Sequence, residues 1–282
     1  MKRSDRIKLN FTRNWKLSGK ERLSGRIKLS AEQKARMKDA ITWLVDEDIA
    51  IYANPDSYIE WSIFSGGTYE NEIGKLIRIS LKSGDSALDI GANIGLQSLR
   101  MAQSVGSTGH VYGFEPLDHL REKAAKNLRL NTVANVMLLP FALSDSESEM
   151  EYAIDKTNWN QGTFSLGDQS AGSESQKIRI KIADELDEVK NIEKLKLVKI
   201  DVEGFEFNVL KGLKQTLAKH KPRVIFEYDK NYWVKNGQHI EDCFDFLRDL
   251  GYMLYQITAV GCELINQVPD IEGGNIFCLQ DA

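Results

Sequence analysis

Short apolar runs that alternate with helical segments constrain the fold of this chain more than any other feature of its sequence. The runs have the length and the β-branched content of buried strands. They occupy residues 86–90, 110–114, 135–139, 195–200 and 223–228. Helical segments between them occupy residues 96–105, 117–131 and 204–219. Because strand–helix–strand units in one sheet form right-handed crossovers, this order predicts a parallel sheet covered by helices on both faces.

The C-terminal part of the sequence breaks this alternation. After a predicted helix at 239–249, strands at 252–257 and 275–280 are joined by glycine-containing turns without a crossover helix, which predicts an antiparallel hairpin. The whole pattern predicts an α/β fold with a doubly wound, mostly parallel sheet of seven strands. One further run, KIRIKI at 177–182, alternates in polarity and predicts an edge strand.

Three regions are expected along the chain. Residues 1–29 form a basic N-terminal extension, residues 30–82 a helical cap or lid, and residues 83–282 the domain that contains the sheet. In the cap, a capping box at its first residues and apolar residues at helical spacing predict one helix over residues 30–46. A second helix is predicted from Thr68 to about Leu81, with Ile73, Leu76, Ile77 and Leu81 on its apolar face.

Charge is unevenly distributed. Residues 1–28 contain ten Lys or Arg and two acidic residues, a balance of about +8, although the whole chain has a formal net charge of −4. Clustered cations attract polyanions at low salt, so this arm could dock weakly on an anionic surface, but a solvated extension fits its sparse apolar residues better. The acidic remainder lacks a basic stripe with interleaved aromatics, which argues against nucleic acid as a partner.

Several features favour the reducing cytoplasm as the location. No apolar run approaches the roughly 18 residues that span a bilayer. The basic N-terminus lacks the apolar stretch of a secretory signal. Cys243, Cys262 and Cys278 have no CxxC spacing, so neither a disulfide framework nor a four-thiolate zinc site is expected.

The sequence LDIGANIG at 88–95 is the clearest sign of a ligand site. It lies where a predicted strand meets a helix, so that Gly91 lets the backbone approach a ligand and free amides favour an anionic group. A tight structural turn is the alternative. Glu115 ends the next strand, where an acid can accept hydrogen bonds from a ribose diol. A dinucleotide fingerprint needs glycines where Asn93 and Leu96 stand, which disfavours an NAD-linked oxidoreductase.

The GxNxG pattern after an Asp-bearing strand resembles the first motif of class I S-adenosylmethionine-dependent methyltransferases. More narrowly, the chain resembles the FkbM family of methyltransferases in the segments TYE, ALDIGANIG, YGFEP and KIDVEGFEFNVLKG, which begin at residues 68, 87, 112 and 199. The resemblance covers residues 68 to about 230 and implies a Rossmann-like fold with S-adenosylmethionine as cofactor.

The resemblance also implies which residues bind the cofactor. They are Glu70, Asp89, Gly91, Asn93, Gly95, Glu115, Ala142 and Asp201. In this assignment the loop after residue 89 lines the methionine portion, Glu115 holds the ribose, and residues near Ala142 flank the adenine. Asp201 faces the cofactor's amino group or the acceptor.

An alcohol acceptor benefits from a group that takes its proton as the new bond forms. Asp201 and Glu227 are candidates because both follow strands expected beside the cofactor cleft, and Glu203 is the third candidate. A helix cap or a salt bridge is the alternative role for each. Trp159 and Trp233 lie on loops expected above the cleft and are candidate acceptor contacts, since sugars stack on aromatic rings.

A metal site is not expected. Asp201, Glu203 and Glu206 are separated by two and three residues across a strand-to-helix turn, which does not bring three carboxylates together. Glu206 is instead expected on a solvated helix face.

The expected function is that of an S-adenosylmethionine-dependent O-methyltransferase of the FkbM type. Its acceptor would be a hydroxyl on a sugar, a glycan precursor or a secondary metabolite. The alternatives are an NAD-linked oxidoreductase and a non-catalytic cofactor-binding or scaffold protein that docks through its basic arm.

Overall fold

The computed structural model describes residues 12–13, 30–154, 174–266 and 272–280. Of the basic extension, it therefore includes Thr12 and Arg13. The Arg13 guanidinium donates to the carbonyl oxygens of Ile63 at 3.1 Å and Phe64 at 2.7 Å. At least this cation of the extension is therefore attached to the region that follows it.

Between residues 31 and 80, five elements precede the central sheet. They are α1 (Ala31–Met37), β1 (Ala40–Trp43), β2 (Ala50–Ala53), α2 (Tyr58–Gly66) and α3 (Asn71–Ser80). The apolar face predicted for the helix that corresponds to α3 is buried throughout, from Ile73 to Leu81. The sequence-based prediction has no counterpart of α2.

The predicted helix over residues 30–46 is correct at its start and wrong beyond Met37. Its capping box is confirmed, because Ser30 accepts a bond from the Gln33 amide and the Gln33 side chain accepts one from the Ser30 amide. The chain then forms β1 and β2, which pair as an antiparallel hairpin. The β-branched and aromatic side chains at 41–43 favour an extended backbone over a helix.

The remaining elements follow in chain order. First come β3 (Ser86–Ile90), α4 (Leu96–Val105), β4 (His110–Phe114), α5 (Asp118–Leu130), β5 (Val136–Leu139), β6 (Phe141–Ser144) and β7 (Ser148–Ile154). They are followed by β8 (Glu174–Ile182), a 3-10 helix (Ala183–Glu185), α6 (Asp187–Lys190), β9 (Leu195–Ile200), α7 (Glu206–Gly212), α8 (Lys214–His220) and β10 (Arg223–Asp229). The last are α9 (Lys230–Lys235), α10 (Ile240–Asp249), β11 (Met253–Thr258), β12 (Gly261–Leu264) and β13 (Gly273–Leu279). None of the helices in the described ranges has the length and apolar character needed to cross a bilayer.

Eight of these strands form the central sheet, in the order β12-β11-β13-β10-β9-β3-β4-β5. The five strands from β10 to β5 in this order are parallel, and β13 is antiparallel to both β10 and β11. The predicted α/β fold with antiparallel C-terminal strands is confirmed. The sheet has one strand more than the predicted seven, because β12 pairs with the edge of β11. All four residues of β12 are exposed, so no buried face marks this strand in the sequence.

A smaller sheet has the order β6-β8-β7. The prediction of an edge strand at 177–182 is wrong, because β8 lies between β6 and β7 and pairs with both. Its alternation reflects one buried face instead. Ile178 and Ile180 pack with Leu120 and Leu128 of α5, whereas residues 177 and 179 are exposed.

Both faces of the central sheet are covered. One face buries Ala87, Val111, Leu197 and Ile225 against α3 and α4. The other buries Leu88, Val198, Val224 and Phe226 against α7, α8 and α10. Burial of each larger side chain contributes about 1.5–3 kcal/mol. Two polar side chains, Asp89 and Lys199, interrupt the first face as register partners near the carboxyl ends of β3 and β9.

Candidate functional site

A cavity of about 380 Å³ opens at the carboxyl ends of β3, β4, β9 and β10. Ligands of parallel α/β sheets bind at such strand ends. Tyr58 of α2 and Tyr69 before α3 contribute to its wall. Eight of the predicted site residues line the cavity, namely Glu70, Gly91, Asn93, Glu115, Ala142, Asp201, Glu203 and Glu227.

The loop after β3 needs a glycine at residue 91 because the protein itself packs closely against it. Gly91 has a φ of 83°, and an added Cβ would lie 1.8 Å from the carbonyl oxygen of Asp201. The closest neighbour of Gly91 is therefore the backbone at the end of the adjacent strand β9. Three amides of this loop are bonded within the protein. The N–H groups of Gly91 and Ala92 donate to the Phe114 carbonyl at 3.0 and 2.9 Å, and that of Gly95 donates to Ala92 at 2.8 Å.

Glu115 ties this loop to the end of β4. Its Oε2 accepts from the Asn93 amide at 2.8 Å and its Oε1 from the Leu117 amide at 2.9 Å. The residue is 4% exposed. Burial raises the pKa of Glu115 to about 7, although the two backbone bonds favour the carboxylate. Glu115 therefore fixes the loop and lines the cavity at the same time.

Asp89 and Gly95 do not line the cavity. Asp89 is fully buried, and its Oδ2 accepts from the Ser98 hydroxyl at 2.5 Å. Its Oδ1 is buried without a hydrogen-bond partner among the described residues. An added Cβ at Gly95 would lie 3.1 Å from the Cβ of Ala124. Both residues therefore support the loop from behind.

Three ionisable side chains interact beside the cavity, namely Asp201, Glu227 and Lys199. The Lys199 ammonium donates to Asp201 Oδ2 at 2.9 Å, and Glu227 shares a hydrogen bond with Asp201. Burial would raise the pKa of Asp201, but the charge and hydrogen bond of Lys199, helped by Glu227, lower it. The Asp201 charge, followed by burial, raises the pKa of Glu227. Both directions favour a proton on Glu227 over a proton on Asp201.

Glu203 lines the same wall, in a backbone conformation with a φ of 56°. Burial and the neighbouring carboxyls, led by Asp201, raise its pKa to about 8. The expectation that Glu206 is solvated is wrong. Glu206 is 1% exposed and accepts from the amides of Val202 at 2.9 Å and Gly204 at 3.1 Å. In the described part of the chain, no group of three metal-ligating side chains converges.

Trp233 does not line the cavity. Its ring is 1% exposed and stacks near Phe207 and Phe226, and its indole N–H donates to Glu206 at 2.8 Å. The expected acceptor contact is thus a core residue that satisfies a buried carboxylate. The preceding residue, Tyr232, does line the cavity. The other candidate acceptor contact, Trp159, lies outside the described residues.

The site predicted from the sequence does not include two cationic side chains, Lys199 and Arg100. Lys199 could have been noticed, because a lysine in a strand buried on both faces needs a charged partner. Arg100, on α4, carries no such signal. Its guanidinium donates to both carboxylate oxygens of Glu47, at 2.8 and 2.6 Å. It also donates to the carbonyl oxygens of Tyr69 at 2.9 Å and Glu70 at 3.2 Å, and so holds the turn that lines the cavity.

The pH dependence of stability should report on Glu206. Burial raises its pKa to about 7, whereas in the unfolded chain a glutamate titrates near about 4.3. Between these values the folded state binds the extra proton, so the free energy of unfolding falls as pH rises, by up to about 1.4 kcal/mol per pH unit. Glu206→Gln is expected to remove this contribution, as measured by denaturant titrations between about pH 5 and about pH 7.

Glu151→Gln, on an exposed part of β7, is the matched control and should keep the wild-type slope. If Glu206→Gln also keeps that slope, Glu206 is already ionised across the range.

Comparisons with known proteins find methyltransferases. A family model described as Methyltransferase FkbM domain matches residues 89–254. Methyltransferase 1 of Beauveria bassiana is 26% identical over 189 residues, which cover 59% of this chain and 73% of that protein. The hexuronic acid methyltransferase AglP of Haloferax volcanii is 28% identical over 148 residues, which cover 52% of this chain and 58% of that protein.

A solved structure, methyltransferase FkbM from Methylobacillus flagellatus KT, aligns with 77% of this chain at 13% identity and a TM-score of 0.44. The alignment covers 52% of that structure, so this chain spans about half of it. The family match itself extends over more than half of the chain and includes the loop after β3 and the ends of β4, β9 and β10. This chain therefore belongs to the FkbM family of methyltransferases, which use S-adenosylmethionine as the methyl donor.

Proposed function

We propose that this chain methylates a hydroxyl group of a sugar, a glycan precursor or a secondary metabolite. The observation that supports this most directly is the carboxyl pair of Asp201 and Glu227 in the cavity wall, where the Lys199 ammonium donates to Asp201 at 2.9 Å and favours its carboxylate form. A free hydroxyl is too weakly acidic to lose its proton before transfer begins. An O-methyltransferase therefore benefits from a carboxylate that receives the proton.

The chemistry of the cavity suits the cofactor. When bound, S-adenosylmethionine supplies a methyl group on a positively charged sulfur, which keeps the electron pair of the broken carbon–sulfur bond. Six carboxyl side chains line the wall: Glu70, Glu115, Asp201, Glu203, Glu227 and Asp229. The lining residues within the described ranges include no Lys, Arg or His. A wall without these cations, in which Asp201 is favoured as a carboxylate, suits a ligand that carries sulfonium and ammonium charges.

We expect Glu115 to hold the ribose. Each of its oxygens accepts one backbone bond and keeps a second lone pair for a hydroxyl. Ala142 and its neighbours on β6 suit the adenine, because they present an apolar wall. We assign the methionine portion of the cofactor to Glu70, Gly91 and Asn93.

The protein has little to supply beyond alignment, a dry cavity and one proton acceptor. Asp201 would receive the proton of the acceptor hydroxyl during methyl transfer. A carboxylate of low pKa would suffice, because a hydroxyl oxygen becomes strongly acidic when it is methylated. Glu227, hydrogen-bonded to Asp201, holds the receiving carboxylate in place.

Two observations support a sugar as the acceptor. The Haloferax volcanii relative is a hexuronic acid methyltransferase. Tyr58, which is 44% exposed, and Tyr232 both line the cavity, and their rings offer surfaces on which a sugar can stack.

The function is tested with the full chain, isotope-labelled methyl donor and panels of nucleotide sugars, oligosaccharides and small alcohols, read by mass spectrometry. We expect a product that is heavier by one labelled methyl group and that survives mild alkali, since an ether is stable there and a methyl ester is not. Label on an amine or a carboxylate would contradict methylation of a hydroxyl group. Cofactor binding without transfer to any panel member would favour the non-catalytic alternative.

A Glu115→Gln variant should bind S-adenosylhomocysteine about 10- to 100-fold more weakly than the unchanged protein. The amide would place an NH₂ group against one of two backbone N–H donors, and loss of a hydrogen bond to a charged group costs about 1.5–3 kcal/mol. Isothermal titration calorimetry measures the change. Glu151→Gln makes the same charge change on an exposed strand and should bind normally. Equal affinities in all three proteins would remove Glu115 from the cofactor site.

We also propose a cytoplasmic location, which the free thiols of Cys243, Cys262 and Cys278 support. Docking of the basic N-terminal arm on an anionic surface stays a prediction from the sequence.

A further inference from the structure

Lys199 is a buried cation to which the proposed reaction assigns no role. It lies in β9, at the centre of the sheet, and is 5% exposed. Its ammonium donates to Asp201 at 2.9 Å. Burial alone would lower the pKa of Lys199, but the carboxylates of Asp201, Asp89 and Glu70 outweigh that effect and raise it. The ammonium is therefore charged and is held among carboxylates.

Lys199 acts unequally on the two members of the carboxyl pair. It bonds directly to Asp201, and Glu227 also donates its hydrogen bond to Asp201. Asp201 thus receives two donors, each of which favours its charged form. Glu227, by contrast, faces the negative charge of Asp201 and keeps a proton.

The other groups around the pair are mostly acidic. They are Asp89 on β3, Glu70 and Tyr69 before α3, Glu203 and Glu206 after β9, and Arg100 on α4, which acts on Glu70. In such surroundings an isolated buried carboxylate takes up a proton, because neighbouring negative charges and burial both disfavour its ionisation. The direct contact with Lys199 opposes both effects at Asp201.

We propose that Lys199 is a positioning residue that keeps Asp201 ionised, so that the proton of the pair stays on Glu227 and Asp201 is free to receive the acceptor proton. This inference rests on the proposed function, in which Asp201 has that role. It gives Lys199 a task that an apolar side chain of similar size could not perform.

The test compares two variants of the full chain. Lys199→Met removes the charge and keeps most of the length, whereas Lys199→Arg keeps the charge. The first measurement needs no acceptor: denaturant titrations give the unfolding equilibrium constant at pH values from about 4.5 to about 8. Without Lys199, the folded state should bind one more proton at Asp201 than the unfolded state does. The stability lost by Lys199→Met should therefore grow as pH rises, by up to tenfold in the unfolding constant per pH unit.

Lys199→Arg is expected to follow the wild-type pH dependence. A loss in Lys199→Met that is the same at every pH would mean that Lys199 only fills space, and would overturn the proposal. If Lys199→Met does not fold, the double variant Lys199→Met/Asp201→Asn decides. The double variant has no carboxylate at position 201 that needs a cation, so it should fold and show a cooperative unfolding transition. Failure of the double variant to fold would also overturn the proposal.

The second measurement uses the acceptor identified by the methyl-transfer screen. The acid limb of the kcat profile should move to higher pH by at least about one unit in Lys199→Met and stay in place in Lys199→Arg. The two failures are distinguishable. A pH-dependent loss of stability in a chain that methylates nothing supports the link from Lys199 to Asp201 and refutes the proposed function. An active enzyme with a pH-independent loss refutes the role of Lys199 alone.

Discussion

An Asp201→Asn variant is expected to transfer methyl groups about 10²- to 10⁴-fold more slowly than the unchanged protein, because a positioned proton acceptor contributes about that factor. The amide oxygen can still accept the hydrogen bond that Lys199 donates at 2.9 Å, but it cannot take up a proton at neutral pH. The fold and the affinity for S-adenosylhomocysteine should therefore change much less than the rate. Steady-state kinetics and calorimetry separate the two effects.

Asp249→Asn, at the exposed end of α10, makes the same chemical change away from the cavity and should leave the rate unaltered. A normal rate in Asp201→Asn would exclude Asp201 from the path of the proton. If Glu227→Gln shows the large loss instead, the proton acceptor is Glu227.

Replacement of Arg100 by methionine is expected to lower the free energy of unfolding by about 3–5 kcal/mol, because it removes both hydrogen bonds that a buried carboxylate receives from its buried partner. Arg100 is 1% exposed, and the Glu47 side chain to which it bonds through two nitrogens is 8% exposed. The same guanidinium holds the carbonyl groups of Tyr69 and Glu70. The variant should therefore also bind S-adenosylhomocysteine more weakly, since Glu70 lines the cavity.

Arg78 provides a matched control, because it approaches the same carboxylate at 3.7 Å with a side chain that is 50% exposed. Arg78→Met should cost less than about 1 kcal/mol, as exposed ion pairs do. Denaturant titrations of both variants at one pH give the comparison. Equal losses of unfolding free energy in Arg100→Met and Arg78→Met would show that burial does not determine the strength of the ion pair between Arg100 and Glu47.

The bounds of the parallel strands could be predicted closely because each strand corresponds to a local run of apolar residues. The runs at 86–90, 110–114 and 195–200 coincide with β3, β4 and β9 residue for residue. The hairpin of β1 and β2 could not be predicted in this way. Leu44 and the residues around it fit a helical period as well as an alternating one, and only pairing with residues 50–53 decides between them.

The candidate site was predictable where it depends on strand ends. Glu115, Asp201 and Glu227 all reach the cavity, because the carboxyl ends of parallel strands meet at one edge of the sheet. The predictions for Glu206 and Trp233 are wrong because the two side chains form a buried hydrogen bond with each other across 27 positions of sequence. Helical periodicity tells which face a residue occupies, but it does not tell which distant element covers that face.

The wall formed by Tyr58, Ile59, Tyr69 and Glu70 precedes the family-matched stretch, which begins at residue 89. The carboxyl groups of Asp201 and Glu227, to which we assign the proton transfer, and the loop after β3 lie within the matched stretch. We therefore expect a change of acceptor to alter Tyr58 and Ile59 in this early segment, while Glu70, which we propose for the cofactor, and the bonds between Glu47 and Arg100 are kept. Grafting this segment between relatives offers a modular route to altered specificity.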